Sequence, residues 1–167
     1  MSKLEAWMEE ALGHARNAED AGDVPVGALL INDNRIIGIG WNERESTQRA
    51  WAHAEFLALE NYHKTAQAWR VPLGTSLVVT CEPCLMCTGA LIAARVENIY
   101  YGCRDSKGAA LERIRPLIEQ GVFDHKFKRI EGGVLADKCG EALSRFFSKK
   151  RAASKIESEV LKASSHF

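Results

Sequence analysis

Leu77-Val78-Val79-Thr80-Cys81-Glu82-Pro83-Cys84-Leu85-Met86-Cys87-Thr88-Gly89-Ala90 is the stretch from which the rest of the chain can be read. Its first four residues, Leu77 to Thr80, have the aliphatic and β-branched character of a short buried strand. Pro83 then takes a place where proline is tolerated, the first turn of a helix, and that helix runs through Ala94. Between strand and helix, three cysteines fall within seven residues. The chain has five cysteines, an odd number, at 81, 84, 87, 103 and 139. The N-terminus turns acidic before any apolar segment can form, so no secretory signal is expected, and a reducing compartment is. In such a compartment a cysteine cluster binds metal or does redox work more often than it crosslinks. A thioredoxin-like C-x-x-C is one reading. A metal centre is the other, and it needs further ligands.

The histidines supply one. His53-Ala54-Glu55 opens a helix running to about Thr65, with Ala54, Leu57, Ala58 and Tyr62 on one side. Catalytic zinc takes three protein ligands and keeps a fourth position for water. His53, Cys84 and Cys87 make up that number, for one Zn2+ per subunit. Both cysteines sit near a helix start, where unpaired backbone N–H groups favour thiolate over thiol. Residues two apart on a regular helix point about 200° apart. His53 and Glu55 can therefore address one point only by reaching over the helix end. Glu55 is then a carboxylate outside the ligand set, able to take a proton from water and hand it to a leaving amine. H-x-E together with P-C-x-x-C is the signature of zinc nucleobase deaminases, in which water attacks an amine-bearing ring carbon and ammonia leaves. Alone, an HAE triplet is usually a helix start and a C-x-x-C is ambiguous; in this order, each opening a helix after a strand-like segment, they are specific. Cys81 reads as a packed thiol near the site, Cys103 and Cys139 as buried small apolar residues.

The remaining pattern supplies a scaffold. Ser2-Lys3-Leu4-Glu5 is a capping box ahead of Leu4, Trp7, Met8, Ala11, Leu12 and Ala15 at helical spacing, and Gly22 ends that helix. Val26 to Ile31 and Ile36 to Trp41, joined by Asn32-Asp33-Asn34, read as a hairpin. Residues 43–50 are polar and loop-like. Asn98 to Gly102 and Phe127 to Glu131 are strand-like, 109–120 form a helix ended by Gly121, and a long helix starts near Leu135. Strands interleaved with helices behind a hairpin imply an α/β fold, a three-layer α/β/α sandwich on a mixed five-stranded sheet with parallel crossovers. One domain is expected at residues 1–151, with 152–167 as a charged helical tail.

Composition narrows the function classes. At 46% apolar and 26% charged residues the chain is neither disordered nor collagen-like, and no run approaches the roughly 18 apolar residues of a membrane span. The 22 basic and 22 acidic side chains cancel, which speaks against a globally basic nucleic-acid binder. The cancellation is uneven, however. Residues 1–33 carry two basic and seven acidic side chains, and residues 145–167 carry six and two. The basic end is either a polyanion contact or the solvated end of a surface helix.

Several segments resemble the bacterial tRNA adenosine deaminases (the TadA family), which have the cytidine-deaminase-like fold. They are Val24-Pro25-Val26-Gly27-Ala28, Gly40-Trp41-Asn42, His53-Ala54-Glu55, Glu82 to Ala90, and Gly102-Cys103-Arg104-Asp105-Ser106-Lys107-Gly108-Ala109. Gly133-Val134-Leu135-Ala136 and the Phe146-Phe147 pair fit as well, so the resemblance spans residues 3 to 151. It implies a cytoplasmic homodimer that converts the wobble adenosine of an arginine tRNA to inosine. By position, Asn42 would hold the flipped nucleoside, the Ala54 N–H would help read the base, and Val26 would line the purine slot. Asp105 and Lys107 would contact neighbouring nucleotides of the anticodon loop, and Arg145, Phe146 and Lys149 would meet the RNA. A loop base splayed into a pocket is the usual way RNA is read.

Each of these residues has a plainer alternative. Asn42 could end a strand, Asp105 cap a helix, and Lys107 stay solvated, while Phe146 continues the apolar stripe of Leu135, Cys139 and Ala142. Two segments depart from the family pattern. Arg49-Ala50-Trp51 stands where many members have a small or polar run, and bulky Trp51 is expected to reshape the pocket mouth. The spacing after Lys107 is one residue short. Both fall on loops expected to read flanking nucleotides and leave the chemistry intact. A deaminase of free bases or nucleosides, of guanine or cytosine type, is the alternative enzyme. A non-catalytic zinc module is the third reading, but it has no use for Glu55. The basic tail and the G-x-x-D-x-K loop favour RNA over a free base.

Overall fold

The computed structural model describes residues 1–104 and 110–164, with side chains described as far as residue 158. Helix α1 (Lys3–Asp20) starts as the capping box requires. The Ser2 hydroxyl accepts the Glu5 N–H at 3.2 Å, and the Glu5 carboxylate accepts the Ser2 N–H at 2.6 Å. Strands β1 (Gly27–Asn32) and β2 (Arg35–Trp41) form the expected hairpin. Its two turn residues, Asp33 and Asn34, have φ of 45° and 61°, the left-handed pair that a two-residue hairpin loop needs and that Asp and Asn tolerate. Then follow α2 (Arg44–Thr47), α3 (Ala54–Ala66), β3 (Ser76–Cys81), α4 (Leu85–Ala94), β4 (Asn98–Cys103), α5 (Leu111–Glu119), β5 (Arg129–Gly132) and α6 (Ala136–Ser164).

The sheet order is β2-β1-β3-β4-β5. β1 runs antiparallel to both neighbours, and β3, β4 and β5 are mutually parallel. Parallel neighbours need a crossover, and α4 and α5 provide the two. Side chains alternate across the sheet, as strand geometry dictates. Ala28, Leu30, Leu77 and Val79 pack with Ala54, Ala58, Leu91 and Leu111 of α3, α4 and α5. Leu29, Ile31 and Val78 pack with Met8 and Ala11 of α1 and Cys139 of α6. The result is the α/β/α sandwich on a mixed five-stranded sheet, with Cys103 and Cys139 buried in its second core layer as expected.

Two features fix the functional end of this sandwich. Gly40 lies where α3 crosses β2: a Cβ there would fall 2.1 Å from the Ala54 carbonyl oxygen and 2.4 Å from the Ala58 nitrogen. Only glycine allows that approach. The second is α2, which occupies part of the stretch expected to be a polar loop, residues 43–50. That expectation is corrected by a remote contact: the buried Asp23 carboxylate accepts the N–H groups of Glu45 and Ser46, at 2.6 and 3.1 Å. α6 continues without interruption past residue 151, and its side chains from 151 to 158 are exposed. No helix among the described residues is long and apolar enough to cross a membrane.

Candidate active site

His53 and Cys84 occupy equivalent places, each the N-cap of its helix with extended backbone. Neither side chain bonds back to its own helix, so both are free to meet across the gap between α3 and α4. Cys87, one turn into α4, is fully buried behind them. The two sulfurs lie 3.5 Å (Cys84) and 3.7 Å (Cys87) from His53 Nδ1, and all three ligand atoms fall within 4.8 Å of one another. Tetrahedral zinc with Zn–S of about 2.3 Å and Zn–N of about 2.0 Å sets a sulfur–nitrogen edge of about 3.5 Å. The trio has the donor chemistry and spacing to hold that ion. No other trio of such donors meets this way among the described residues.

The electrostatics suit the same purpose. The Cys84 thiol is brought down to about 4, first by the hydrogen bond from the Cys87 thiol, then by those from His53 and the Cys87 N–H. Donating that bond, together with burial, pushes Cys87 up. His53 is raised by its bond to Cys84. Glu55, in the first turn of α3, is only 4% exposed. Burial pushes its carboxyl up to about 7, and the charge of Cys84 adds to the effect. A carboxyl poised near neutrality beside a metal-binding trio can both take and return a proton.

These groups open into a cavity of about 250 Å³ lined by Val24, Val26, Asn42, Ala54, Glu55 and Phe147, among others. The zinc-binding region that characterises cytidine and deoxycytidylate deaminases matches residues 1–103. The tRNA-specific adenosine deaminase of Bacillus subtilis (strain 168) is 40% identical over 163 residues, covering 95% of this chain and all of the relative. The chain belongs to the tRNA-specific adenosine deaminase family. A structure solved in studies of A-to-I editing by tRNA:A34 deaminases superposes with a TM-score of 0.75 at 34% identity, over 81% of this chain and 97% of that one. A guanine deaminase from Nitrosomonas europaea shares the fold, with a TM-score of 0.71 at 22% identity, over 85% of this chain and 83% of that one.

Within this deaminase fold, the expected residues sort by position. His53, Cys84, Glu55, Val26, Asn42 and Ala54 all line the cavity. Asn42 follows β2, donates its backbone N–H to the Val26 carbonyl at 3.0 Å and its Nδ2 to the Val24 carbonyl at 3.2 Å. That leaves its side-chain oxygen as an acceptor. Cys81, expected near the site, is buried and lines the cavity. Asp105 and Lys107 lie outside the described residues. Arg145 and Lys149 are on α6 but not in the cavity wall; both pair with Glu19 of α1, at 3.2 and 3.4 Å. Phe146 is buried and sits edge-on to Phe147 at 5.5 Å between ring centroids, and the ring in the cavity wall is that of Phe147. Trp51, expected at the mouth, is half exposed and absent from the wall. Phe147, Leu143, Arg44, Glu45 and Glu82 belong to the wall without being expected there from sequence. A signal for the first two existed: Leu143 and Phe147 are an i, i+4 apolar pair beside the core stripe. Glu82 is nearly inaccessible and ties the metal-site segment to its surroundings, accepting from Arg104 Nε at 3.2 Å and from the Glu112 N–H at 3.0 Å.

Proposed function

We propose that this chain deaminates the wobble adenosine in the anticodon loop of a tRNA, an arginine tRNA, to inosine. His53, Cys84 and Cys87 hold one Zn2+ per subunit. The observation that carries this reading is the buried Glu55, raised to about 7 beside the trio, in a cavity that also presents Asn42. Bound zinc supplies a lowered pKa for water, and so a nucleophile at neutral pH. Glu55 takes the proton of the water that attacks C6 of adenine. It returns that proton to the amino group, the C–N bond breaks, and ammonia and inosine result. The side-chain oxygen of Asn42 accepts from a ribose hydroxyl, the Ala54 N–H donates to the base, and Val26 flanks its ring. Phe147 covers the cavity and Phe146 backs it. Asp105 and Lys107 contact neighbouring nucleotides. Arg145 and Lys149 exchange Glu19 for phosphate, which costs little because exposed ion pairs contribute only about 0–1 kcal/mol.

The catalytic domain occupies residues 1–151 and the end of α6 is a tail. We assign the enzyme to the cytoplasm, where its substrate is found, and to a homodimer. Helix α4 is apolar on all sides, with Leu85 61% exposed and Met86 also outward. A helix of that character is covered on both faces in the working molecule. Sedimentation of wild type and Leu85→Glu should give a dimer and a monomer respectively.

A second reading has one observation in its favour: the cations expected at RNA are engaged with Glu19, as would suit a deaminase of a free guanine- or cytosine-type base. The deciding experiment incubates zinc-loaded protein with arginine tRNA, its anticodon stem-loop, and a panel of free bases and nucleosides. Inosine in the RNA alone is expected. Ammonia from a free base with untouched RNA would overturn the proposal in favour of the second reading.

A further inference from the structure

The most deeply buried carboxylate among the described residues is Asp23, 0% exposed and without a part in the chemistry above. Its two oxygens accept the Glu45 and Ser46 N–H groups at the start of α2, at 2.6 and 3.1 Å. Taking a carboxylate out of water is costly, and charge-assisted bonds of this kind are what offset it. The helix so held makes no packing return of its own: α2 has four residues, buries no side chain, and takes no side-chain bond from its N-cap Glu43. What α2 does carry is part of the cavity wall, Arg44 and Glu45. Val24, adjacent to Asp23, and Val26 are another part of that wall. Asn42 laces the same two segments, through its bonds to the Val24 and Val26 carbonyls.

We infer that Asp23 is a positioning residue for the substrate. Its carboxylate ties segment 23–26 to α2, so that the two parts of the wall keep a fixed separation around the bound nucleoside. The inference rests on the deaminase reading above and adds a residue to it that touches neither metal nor base. Its action falls on binding. Glu55 and the metal trio sit at α3 and α4, whereas the hydrogen bonds of Asp23 go to α1 and α2, so the chemical step proceeds at its usual rate once substrate is in place. A loss of binding shared by ground and transition states raises KM and leaves kcat alone. A merely structural residue would instead lower the active fraction, and with it kcat and zinc content.

Asp23→Asn tests this with little change of volume. It puts an amide N–H₂ against one of two N–H donors and removes the charge. Asp20→Asn, at the exposed end of α1, is the charge-matched control. The readouts are kcat and KM for inosine formation in the anticodon stem-loop, zinc per subunit, and the thermal midpoint. For Asp23→Asn we expect KM to rise about tenfold, the effect of losing one charged hydrogen bond, with kcat within threefold and full zinc; Asp20→Asn should match wild type. An unchanged KM, or a fall in kcat and zinc together at constant KM, overturns the inference. If Asp23→Asn does not accumulate as folded protein, the same measurements on Asp23→Glu decide: a carboxylate displaced by one methylene must still raise KM. A wild-type protein that makes no inosine ends the functional reading itself. A wild type that edits while the Asp23 variants edit with the same KM ends only the role of Asp23.

Discussion

Replacing Gly40 by alanine probes how the fold places the groups proposed for catalysis. The added Cβ would lie 2.1 Å from the Ala54 carbonyl oxygen and 2.4 Å from the Ala58 nitrogen. Both are backbone atoms, so no side-chain rotation relieves the clash. To reach the 3.4 Å of ordinary contact, α3 must withdraw from β2 by about 1.3 Å at its first turn. That turn carries His53 and Glu55, whereas Cys84 and Cys87 stay with α4. The perturbation therefore separates the imidazole from the thiolates and Glu55 from the cavity. Overpacking of this kind costs about 1–3 kcal/mol of stability, and a misplacement of about 1 Å in a catalytic constellation costs on the order of a hundredfold in rate. The assay is inosine formation in an anticodon stem-loop, with zinc content and thermal midpoint measured on the same preparation. Gly13→Ala is the control: it sits within α1 with open space at the Cβ position, and should stabilise by about 0.5–1 kcal/mol without affecting rate. A Gly40→Ala enzyme that keeps kcat/KM within threefold of wild type would refute the idea that the close approach of α3 to β2 sets the site.

Other perturbations separate the roles assigned above. Glu55→Ala should keep fold and zinc and lose at least about a hundredfold in rate, the scale of one general acid–base group; near-normal turnover in a rapid-quench assay would remove Glu55 from the mechanism. Burial raises the Glu55 carboxyl from 4.5 to about 7, so the stability that its neutral form allows is lost as pH climbs through that range. Glu55→Gln is neutral throughout and escapes the loss. In chelator-treated protein, urea titrations should show the Gln variant gaining on wild type by about 2–3 kcal/mol between pH 5 and pH 8, and a pH-independent gap would contradict the assigned cause. Truncation after Phe147 removes Lys149, Lys150, Arg151, Lys155 and Lys162. It should flatten the dependence of RNA affinity on salt by about 0.7 in log–log slope for each phosphate that is no longer neutralised. An identical slope would return the end of α6 to solvated surface.

The parts of this molecule visible in the sequence are those governed by neighbours along the chain. The Ser2–Glu5 capping box, the Asp33-Asn34 turn and the short buried strand from Leu77 to Thr80 are each decided within a few residues, and each takes the expected form. The metal trio is legible for a related reason: His53 and Cys84 each open a helix, and helix starts leave local marks. α2 is not legible, because the group that caps it lies 22 residues upstream of Glu45. Phe146 and Phe147 illustrate another limit. Both are aromatic and adjacent, and heptad-like spacing puts Phe146 in the core stripe. The Leu143–Phe147 pair marks a second apolar strip beside that stripe, but that this strip meets the cavity depends on how α6 lies over the sheet. Trp51 misleads by proximity: two residues from His53 in sequence, it is half exposed and lies outside the cavity wall, because the chain turns into α3 between them.

Charge is distributed by the same kind of long-range pairing, and its placement changes what neutrality implies. The acidic N-terminal helix and the basic C-terminal helix, which cancel in the composition, lie side by side on one face of the sheet. Glu9 pairs with Lys138, and Glu19 pairs with both Arg145 and Lys149. The cancellation is therefore partly local, a seam of ion pairs between α1 and α6 in which Glu19 meets two cations. The paired cations of that seam add little long-range attraction for a polyanion, so Arg145 and Lys149 contribute little to steering. The seam also binds its own partners weakly, since Arg145 and Lys149 remain more than half exposed and exposed pairs contribute about 0–1 kcal/mol. A phosphate arriving with its base in the cavity can displace Glu19 at small cost, whereas a phosphate without such a base gains little by doing so. With Arg145 and Lys149 meeting RNA as proposed, their pairing with Glu19 penalises non-specific polyanions more than the RNA that fits, and the seam becomes a source of selectivity.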